Sequence, residues 1–155
     1  MDIHALFISP GHNYFGHYGR APGEHPMLAV DEVRCVAGSG IEGDRFFNFK
    51  PDYKGQITFF ELETHKALCA HFKLHDKSPS VFRRNVITRG ADLNSLIGNE
   101  FEVLGVRFFG TAESAPCDWM NLAFAPGAEA FLKGRGGLRA KIMSSGTLRK
   151  TVPAA

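Results

Sequence analysis

Short apolar stretches separated by glycine, proline and polar residues run through most of the chain, and they predict a protein built mainly from β-strands. Within residues 28–37 the apolar alternation changes phase at Val33, which predicts a bulge or a bend. Two apolar runs on either side of Gly105 predict a hairpin. The predicted strands cover residues 3–9, 28–37, 55–60, 85–88, 101–104, 106–111, 137–143 and 147–149.

Helical spacing of apolar residues extends over one longer segment, residues 61–74, which predicts an amphipathic helix. Cys69 falls on the apolar face of this helix, where a cysteine behaves as a small buried hydrophobic residue. Three histidines, His65, His71 and His75, are assigned to the polar face.

Two shorter helical segments complete the prediction: one turn at residues 92–97 with Asp92 as N-cap, and a short helix that begins near Pro126. Because the strands follow one another mostly without intervening helices, they predict a β-barrel or curled sheet with two or three short helices. With 155 residues, 44% of them hydrophobic, the chain is long enough for one core, and we expect a single domain over residues 1–155.

Charge and cysteine content narrow the class of protein. The net charge of +2 is too small to indicate a nucleic-acid partner, although it allows a local basic patch. No apolar run approaches the roughly 18 residues that a membrane helix needs, and the first apolar run is too short for a secretory signal. Three cysteines without zinc-type spacing disfavour a disulfide framework and leave at least one free thiol. We therefore expect a cytoplasmic protein that binds neither nucleic acid nor membrane.

Residues 38–43, GSGIEG, match the letters of a dinucleotide-binding fingerprint and follow a predicted strand. The next residues are aromatic and end at Pro51, so they do not provide the helix that would receive a pyrophosphate. We interpret the glycines as turn residues. Asp44 and Arg45, which follow them, form a structural ion pair or line a site.

The glycine-rich segment 12–25 holds His12, His17 and His25. Neutral imidazole is a common ligand of transition metals, so three histidines in one loop suggest a metal site. Their spacing matches no metal-binding motif, and we interpret them as polar loop residues.

Cys117 is the leading candidate for chemistry, because it follows Pro116 at the end of a strand-like run, where a rigid scaffold continues into a functional loop. The competing interpretation is a buried, inert thiol. A hydrolase that uses Cys117 as nucleophile and a histidine as base stays possible, although no histidine lies close to Cys117 in the sequence.

Several segments resemble the MOSC domains, a family named for the C-terminal part of molybdenum cofactor sulfurases. Residues 12–25 and 118–131 are also similar to one group of small stand-alone members. The main resemblance lies in GIEGDRFF at 40–47, RRNVITRGADLNSLIGNEFEV at 83–103, FGTAESAPC at 109–117 and RGGLRAKIMSSGTLR at 135–149.

The resemblance implies a MOSC-type β-barrel related to the pyruvate-kinase insert barrel, and a role in handling the molybdenum-pterin cofactor or its sulfur. It also implies that Cys117 carries sulfur as a persulfide or ligates molybdenum. Arg83, Arg84 and Asn85 would lie at an anion-binding end. Ser114 stands where some relatives have a second cysteine, so a local relay of two thiols is not available.

Elementary chemistry agrees with these implications. A thiolate is a soft ligand, and only the thiolate attacks a sulfur donor or binds a metal. Guanidinium groups bind phosphate through paired, charge-assisted hydrogen bonds. Asp118 beside the cysteine is expected to face away from it. The arginines considered for the phosphate, besides Arg83, are Arg45, Arg84, Arg89 and Arg139.

Two functions follow from the resemblance, beside the hydrolase alternative. In one, Cys117 ligates molybdenum in a protein that reduces N-oxygenated small molecules, with electrons from a donor protein because the chain has no iron–sulfur cysteine cluster. In the other, Cys117 is a persulfide carrier without turnover of its own, which receives sulfur from a cysteine desulfurase or another donor. The chain is too short for a desulfurase domain as well, so pyridoxal phosphate is not expected in it.

Overall fold

The computed structural model describes residues 1–11 and 25–152, which contain ten strands, three α-helices and two short 3-10 helices. The strands are β1 (Asp2–Ile8), β2 (Leu28–Val30), β3 (Glu32–Val36), β4 (Gly40–Ile41), β5 (Ile57–Glu61), β6 (Val86–Arg89), β7 (Glu100–Val103), β8 (Val106–Glu113), β9 (Leu138–Ile142) and β10 (Gly146–Arg149). The α-helices are α1 (Leu62–Phe72), α2 (Asp118–Ala123) and α3 (Ala128–Leu132), and the 3-10 helices are Pro79–Phe82 and Leu93–Leu96.

Seven strands form a large sheet in the order β2-β1-β6-β5-β9-β8-β7, and three form a small sheet in the order β10-β3-β4. Among the strands of the described residues, only β5 and β6 pair in parallel, and the connection between them includes α1. The prediction of a mainly β protein with two or three helices is confirmed. Neither sheet closes on itself within residues 1–11 and 25–152, so the barrel stays a prediction.

The single strand predicted at residues 28–37 is wrong, because the chain leaves one sheet for the other at Asp31. β2 pairs with β1 at the edge of the large sheet, whereas β3 pairs with β10 and β4 in the small sheet. The phase change at Val33 therefore marks a passage between two sheets, each of which buries its own set of side chains.

The large sheet separates two hydrophobic cores. Along β5, Phe59 faces the first core and its neighbour Phe60 faces the second, as the alternation of side chains in a strand requires. The first core joins the large sheet to the small sheet through Cys35 and Leu148, both fully buried. The second core joins the large sheet to the three helices through buried side chains that include Leu68, Met120 and Leu132.

The helix predicted at residues 61–74 is confirmed as α1, with Cys69 buried and His71 and His75 exposed. The assignment of His65 to the polar face is wrong, because its ring is buried against Phe82 and Phe124. The helix predicted near Pro126 is α3, whereas α2 was not predicted. None of the helices described is long and apolar enough to cross a membrane.

The interpretation of residues 38–43 as turns is confirmed. Gly38, Gly40 and Gly43 all have positive φ, and turns follow rather than a helix. The predicted hairpin is also confirmed, with Leu104 and Gly105 as its two-residue turn. Asp92 lies at the predicted N-cap position, but its side chain makes no capping hydrogen bond.

Candidate functional site

Cys117 ends the loop that joins β8 to α2 and lies immediately before the first residue of α2. Its carbonyl accepts a hydrogen bond of 3.0 Å from the Met120 amide, which starts the helix. All three cysteines are free thiols, but only Cys117 is partly exposed. Burial raises the pKa of Cys35 to about 12 and also raises the pKa of Cys69, so both keep their protons at neutral pH. Cys117 is therefore the accessible thiol.

The loop before Cys117 is held by the buried guanidinium of Arg84. Its Nη2 donates to the Ser114 carbonyl at 2.8 Å, and its Nε donates to the Gly136 carbonyl at 3.0 Å. A third bond, of 2.9 Å, runs from Nη1 to the carbonyl of Phe82. Burial lowers the pKa of Arg84 to about 10, with the charge of a Cys117 thiolate as the main opposing influence. Arg84 thus stays charged at neutral pH and holds the loop in place. Its guanidinium also lies close enough to Cys117 to interact with the charge of a thiolate there.

A close backbone contact supports the same loop. The Ser114 amide donates to the Gly137 carbonyl at 2.8 Å. A Cβ at Gly136 would collide with the Ser114 carbonyl and would lie 2.8 Å from Cδ of Pro116. Only glycine lets the strand that begins at Leu138 approach the loop this closely.

Of the two roles considered for Asp44 and Arg45, the structure shows the ion pair, at 3.0 Å with both side chains almost fully buried. The same Asp44 oxygen accepts from the amide of Ser9, at 3.0 Å. Arg45 also donates to the Arg83 carbonyl at 3.0 Å. Burial lowers the pKa of both arginines, to about 10 for Arg83.

The Arg83 side chain connects three parts of the site. Its guanidinium donates to the carbonyls of Gly11 and His25, the first at 2.8 Å. The same group lies 6.0 Å from the ring centre of Trp119, on α2 two residues beyond Cys117. Trp119 also donates from its ring nitrogen to the Val81 carbonyl at 2.6 Å and packs against the second core.

Asn85 is engaged entirely within the protein. Its Oδ1 accepts from the amide and the hydroxyl of Thr58, at 3.0 and 3.1 Å, and its Nδ2 donates to the Phe7 carbonyl at 3.2 Å. The side chain is buried and ties β1 to β5, so its observed bonds fix the scaffold beneath the site.

Arg139 has more unused hydrogen-bonding capacity than Arg83 or Arg84. It lies on β9 opposite Thr58 and Ala112 and is partly buried. Within residues 1–11 and 25–152 no hydrogen bond engages its guanidinium. Its positive charge lowers the pKa of Arg84 while Glu113 opposes that effect, so Arg139 and Glu113 each lie within electrostatic reach of Arg84.

Arg89 is not brought to this site. Arg84 precedes the first residue of β6, whereas Arg89 is the last residue of that strand, and each strand residue advances the chain by ~3.3 Å. Arg89 lies near His4, whose pKa is lowered first by burial and then by the Arg89 charge. The Arg89 Nε is buried without a partner among the described atoms.

In the described residues, no histidine is seen to contact the Cys117 thiol. His12 and His17 lie outside the described residues, and the carbonyl of His25 accepts from Arg83. In the described part of the chain, no histidine forms a hydrogen bond with the Cys117 sulfur. The ring of His65 instead lies 3.5 Å from the sulfur of Cys69. No described contact therefore supports the hydrolase alternative.

Sequence reasoning missed the supporting role of Gly136 and the backbone bonds of Arg84. The paired glycines at 136 and 137 are a signal for close backbone approach, but they do not identify the segment that approaches. For Asp118, one oxygen accepts from Asn121 at 3.2 Å, along its own helix.

No protein-family model and no curated protein matches the sequence. Solved structures share the fold. The YuaD protein from Bacillus subtilis aligns with a TM-score of 0.73 at 17% identity, over 96% of this chain and 91% of that one. YiiM from Escherichia coli aligns at 0.65 and 15% identity, over 100% and 71% of the two chains. YiiM from Geobacillus stearothermophilus aligns at 0.69 and 12% identity, over 96% and 70%. YiiM is a MOSC-domain protein, so this chain has a MOSC-like fold.

Proposed function

Starting from a MOSC-like fold, we propose that the chain binds a molybdenum-pterin cofactor and that the Cys117 thiolate is the protein's ligand to the metal. The observation that carries the proposal is the placement of Cys117, which is partly exposed at the end of a loop fixed by Arg84, whereas the other two thiols are buried. A soft thiolate suits a metal with sulfur-rich coordination.

The donor set fits a metal that arrives with other ligands. No group of three or more His, Cys, Asp or Glu side chains suited to a metal ion is found within residues 1–11 and 25–152. A metal bound through Cys117 would take its remaining ligands from outside these residues, as a cofactor-bound metal does. The positive charges of Arg84 and Arg139 suit the anionic character of such a cofactor.

Among the arginines, we assign Arg139 to direct contact with the cofactor phosphate, because its guanidinium has no other described hydrogen bond. Arg45, Arg83 and Arg84 hold the backbone around the site and add positive charge to it. Asn85 fixes the underlying strands, and Arg89 has no assigned part. When bound, the cofactor would supply redox chemistry for the reduction of N-oxygenated small molecules, with electrons from a separate donor protein.

The test compares wild type with Cys117→Ser after incubation with molybdenum cofactor. We expect wild type to retain molybdenum and a pterin detected by fluorescence after oxidation, and Cys117→Ser to lose the metal. Cys69→Ser is the matched control, because Cys69 is buried on the far side of α1 from solvent and should retain the metal. Equal molybdenum in wild type and Cys117→Ser would exclude the ligand role.

The partial exposure of Cys117 also favours a second function, in which the thiol carries sulfur. The Cys117 thiolate would attack the persulfide of a cysteine desulfurase, form a new S–S bond to the outer sulfur, and leave the donor cysteine as a thiol. Treatment with a desulfurase and cysteine should then add the mass of one sulfur atom at Cys117. Addition at Cys35 or Cys69 instead would exclude this role for Cys117.

A further inference from the structure

A cavity of about 540 Å³ opens beside the loop that carries Cys117. One wall is made by Ala115 and Pro116, the two residues before the cysteine, and the facing wall by Gly127 and Ala130 at α3. Its volume falls in the range of small-molecule sites, roughly 300–1,000 Å³. The cavity is therefore large enough for a compact organic ligand with an apolar body.

Three charged side chains line this cavity: Glu113, Glu129 and Lys133. Glu129 accepts a hydrogen bond of 3.3 Å from Asn121, so one of its carboxylate oxygens already takes part in joining α2 to α3. Lys133 is exposed. Glu113 is partly buried, and in the described residues its carboxylate forms no hydrogen bond and no ion pair. Two carboxylates against one ammonium give the lining a net negative charge.

The walls are rigid enough to present these charges. The side chain of Asn121 accepts from the amides of Gly127 and Glu129, at 3.2 and 3.0 Å, and so fixes the start of α3 to α2. The opposite wall is fixed by Arg84 through the Ser114 carbonyl. Arg84 lies within electrostatic reach of Glu113, but it does not line the cavity and it donates its hydrogen bonds to backbone carbonyls.

We propose that this cavity binds a small organic cation, a primary ammonium with an apolar body, whose charged end lies at Glu113. The apolar walls would receive the body, and the carboxylate would receive the ammonium through a charge-assisted hydrogen bond. Because the wall ends at Pro116, the bound molecule lies next to the loop that positions Cys117. This site is separate from the metal role of Cys117 and does not depend on it.

The experiment titrates benzylamine into 15N-labelled protein and follows amide shifts at Ala115, Gly127 and Ala130. Benzyl alcohol and benzoate serve as neutral and anionic probes of similar shape. We expect saturable shifts with benzylamine, at least about tenfold weaker binding of the other two, and weaker benzylamine binding as salt is raised. The titration is repeated in Cys117→Ser, where the same binding is expected, so a failure of the cofactor proposal would leave this result unchanged.

Two variants with opposite expected effects distinguish an effect of charge on benzylamine affinity from a loss of affinity caused by a folding defect. Glu113→Gln should weaken benzylamine binding about tenfold, and Lys133→Met should strengthen it a few-fold, because one removes the attractive charge and the other a repulsive one. Glu100→Gln, exposed on β7 and away from the cavity, should bind like wild type. Benzoate binding as tightly as benzylamine, or unchanged affinity in both Glu113→Gln and Lys133→Met, would overturn the proposal.

Discussion

The arginines around Cys117 differ in what their guanidinium groups do. Arg83 and Arg84 each form three hydrogen bonds, five of the six to backbone carbonyls, so these two side chains build the site. Arg139 keeps its donors available among the described residues. Sequence alone treats these arginines as equivalent, because a guanidinium that holds a loop and one that holds a phosphate require the same residue type.

Arg84→Lys tests the positioning role. A lysine keeps the charge but cannot reach three carbonyls at once, and the loss of two charged hydrogen bonds should lower the free energy of unfolding by about 3 kcal/mol in urea denaturation. Arg107→Lys is the control, because Arg107 is exposed and its change should cost less than about 0.5 kcal/mol. Equal stability of Arg84→Lys and wild type would mean that the three bonds do not fix the loop.

His65 gives a prediction of pH dependence. Burial lowers its pKa below the ordinary value of 6.5. Between pH 6.5 and the lower pKa of the folded state, the unfolded chain therefore binds a proton at His65 that the folded chain does not bind. The stability that His65 contributes is therefore complete above pH 6.5 and is lost as the pH falls through the folded pKa, by at most about 1.4 kcal/mol per pH unit. In urea denaturation at pH 7 and 5, His65→Leu should lose less stability on acidification than wild type.

The exposed His75 offers the comparison, and His75→Gln should follow wild type at both pH values. If His65→Leu and wild type lose the same stability between pH 7 and 5, the buried imidazole is not the source of the acid sensitivity.

Among the elements, the loop between β8 and α2 keeps its position only because the residue that it packs against, Gly136, has no side chain. Gly136→Ala should push the loop away through the Ser114 carbonyl, lower the free energy of unfolding by about 1–3 kcal/mol, and change the rate at which iodoacetamide alkylates Cys117. Gly134→Ala is the control, because Gly134 has a φ of +82° but open space around it. That variant should cost about 1 kcal/mol of backbone strain and leave the alkylation rate unchanged. An unaltered Cys117 rate in Gly136→Ala would contradict the close contact.

The elements with a clear local signal were predictable. The hairpin at Gly105 and helix α1 follow from turn chemistry and apolar spacing, and both are confirmed. α2 has six residues, too few for a periodic pattern to stand out, and β2 and β3 were merged because a sequence does not show to which sheet a strand belongs. Arg89 was grouped with Arg84 by proximity in sequence, although the length of β6 separates them.

In the whole molecule, the sheet that carries the site is packed on both faces. The small sheet covers one face and the helices cover the other, which leaves the ends of β6 and β8 to bring Arg84 to the loop that carries Cys117. The order of the strands produces this meeting, and no local pattern reveals it. The resemblance of separate sequence segments to one family was the signal that connected them, and the MOSC-like fold agrees with it.

The central claim is that the Cys117 thiolate binds the molybdenum-pterin cofactor. The most direct measurement is the alkylation of each cysteine by iodoacetamide, read by peptide mass spectrometry, in native protein with and without the loaded cofactor. We expect Cys117 to be alkylated without cofactor and protected with it, whereas the buried Cys35 and Cys69 stay unlabelled in both samples. Equal alkylation of Cys117 with and without bound cofactor would show that the thiolate is not the ligand.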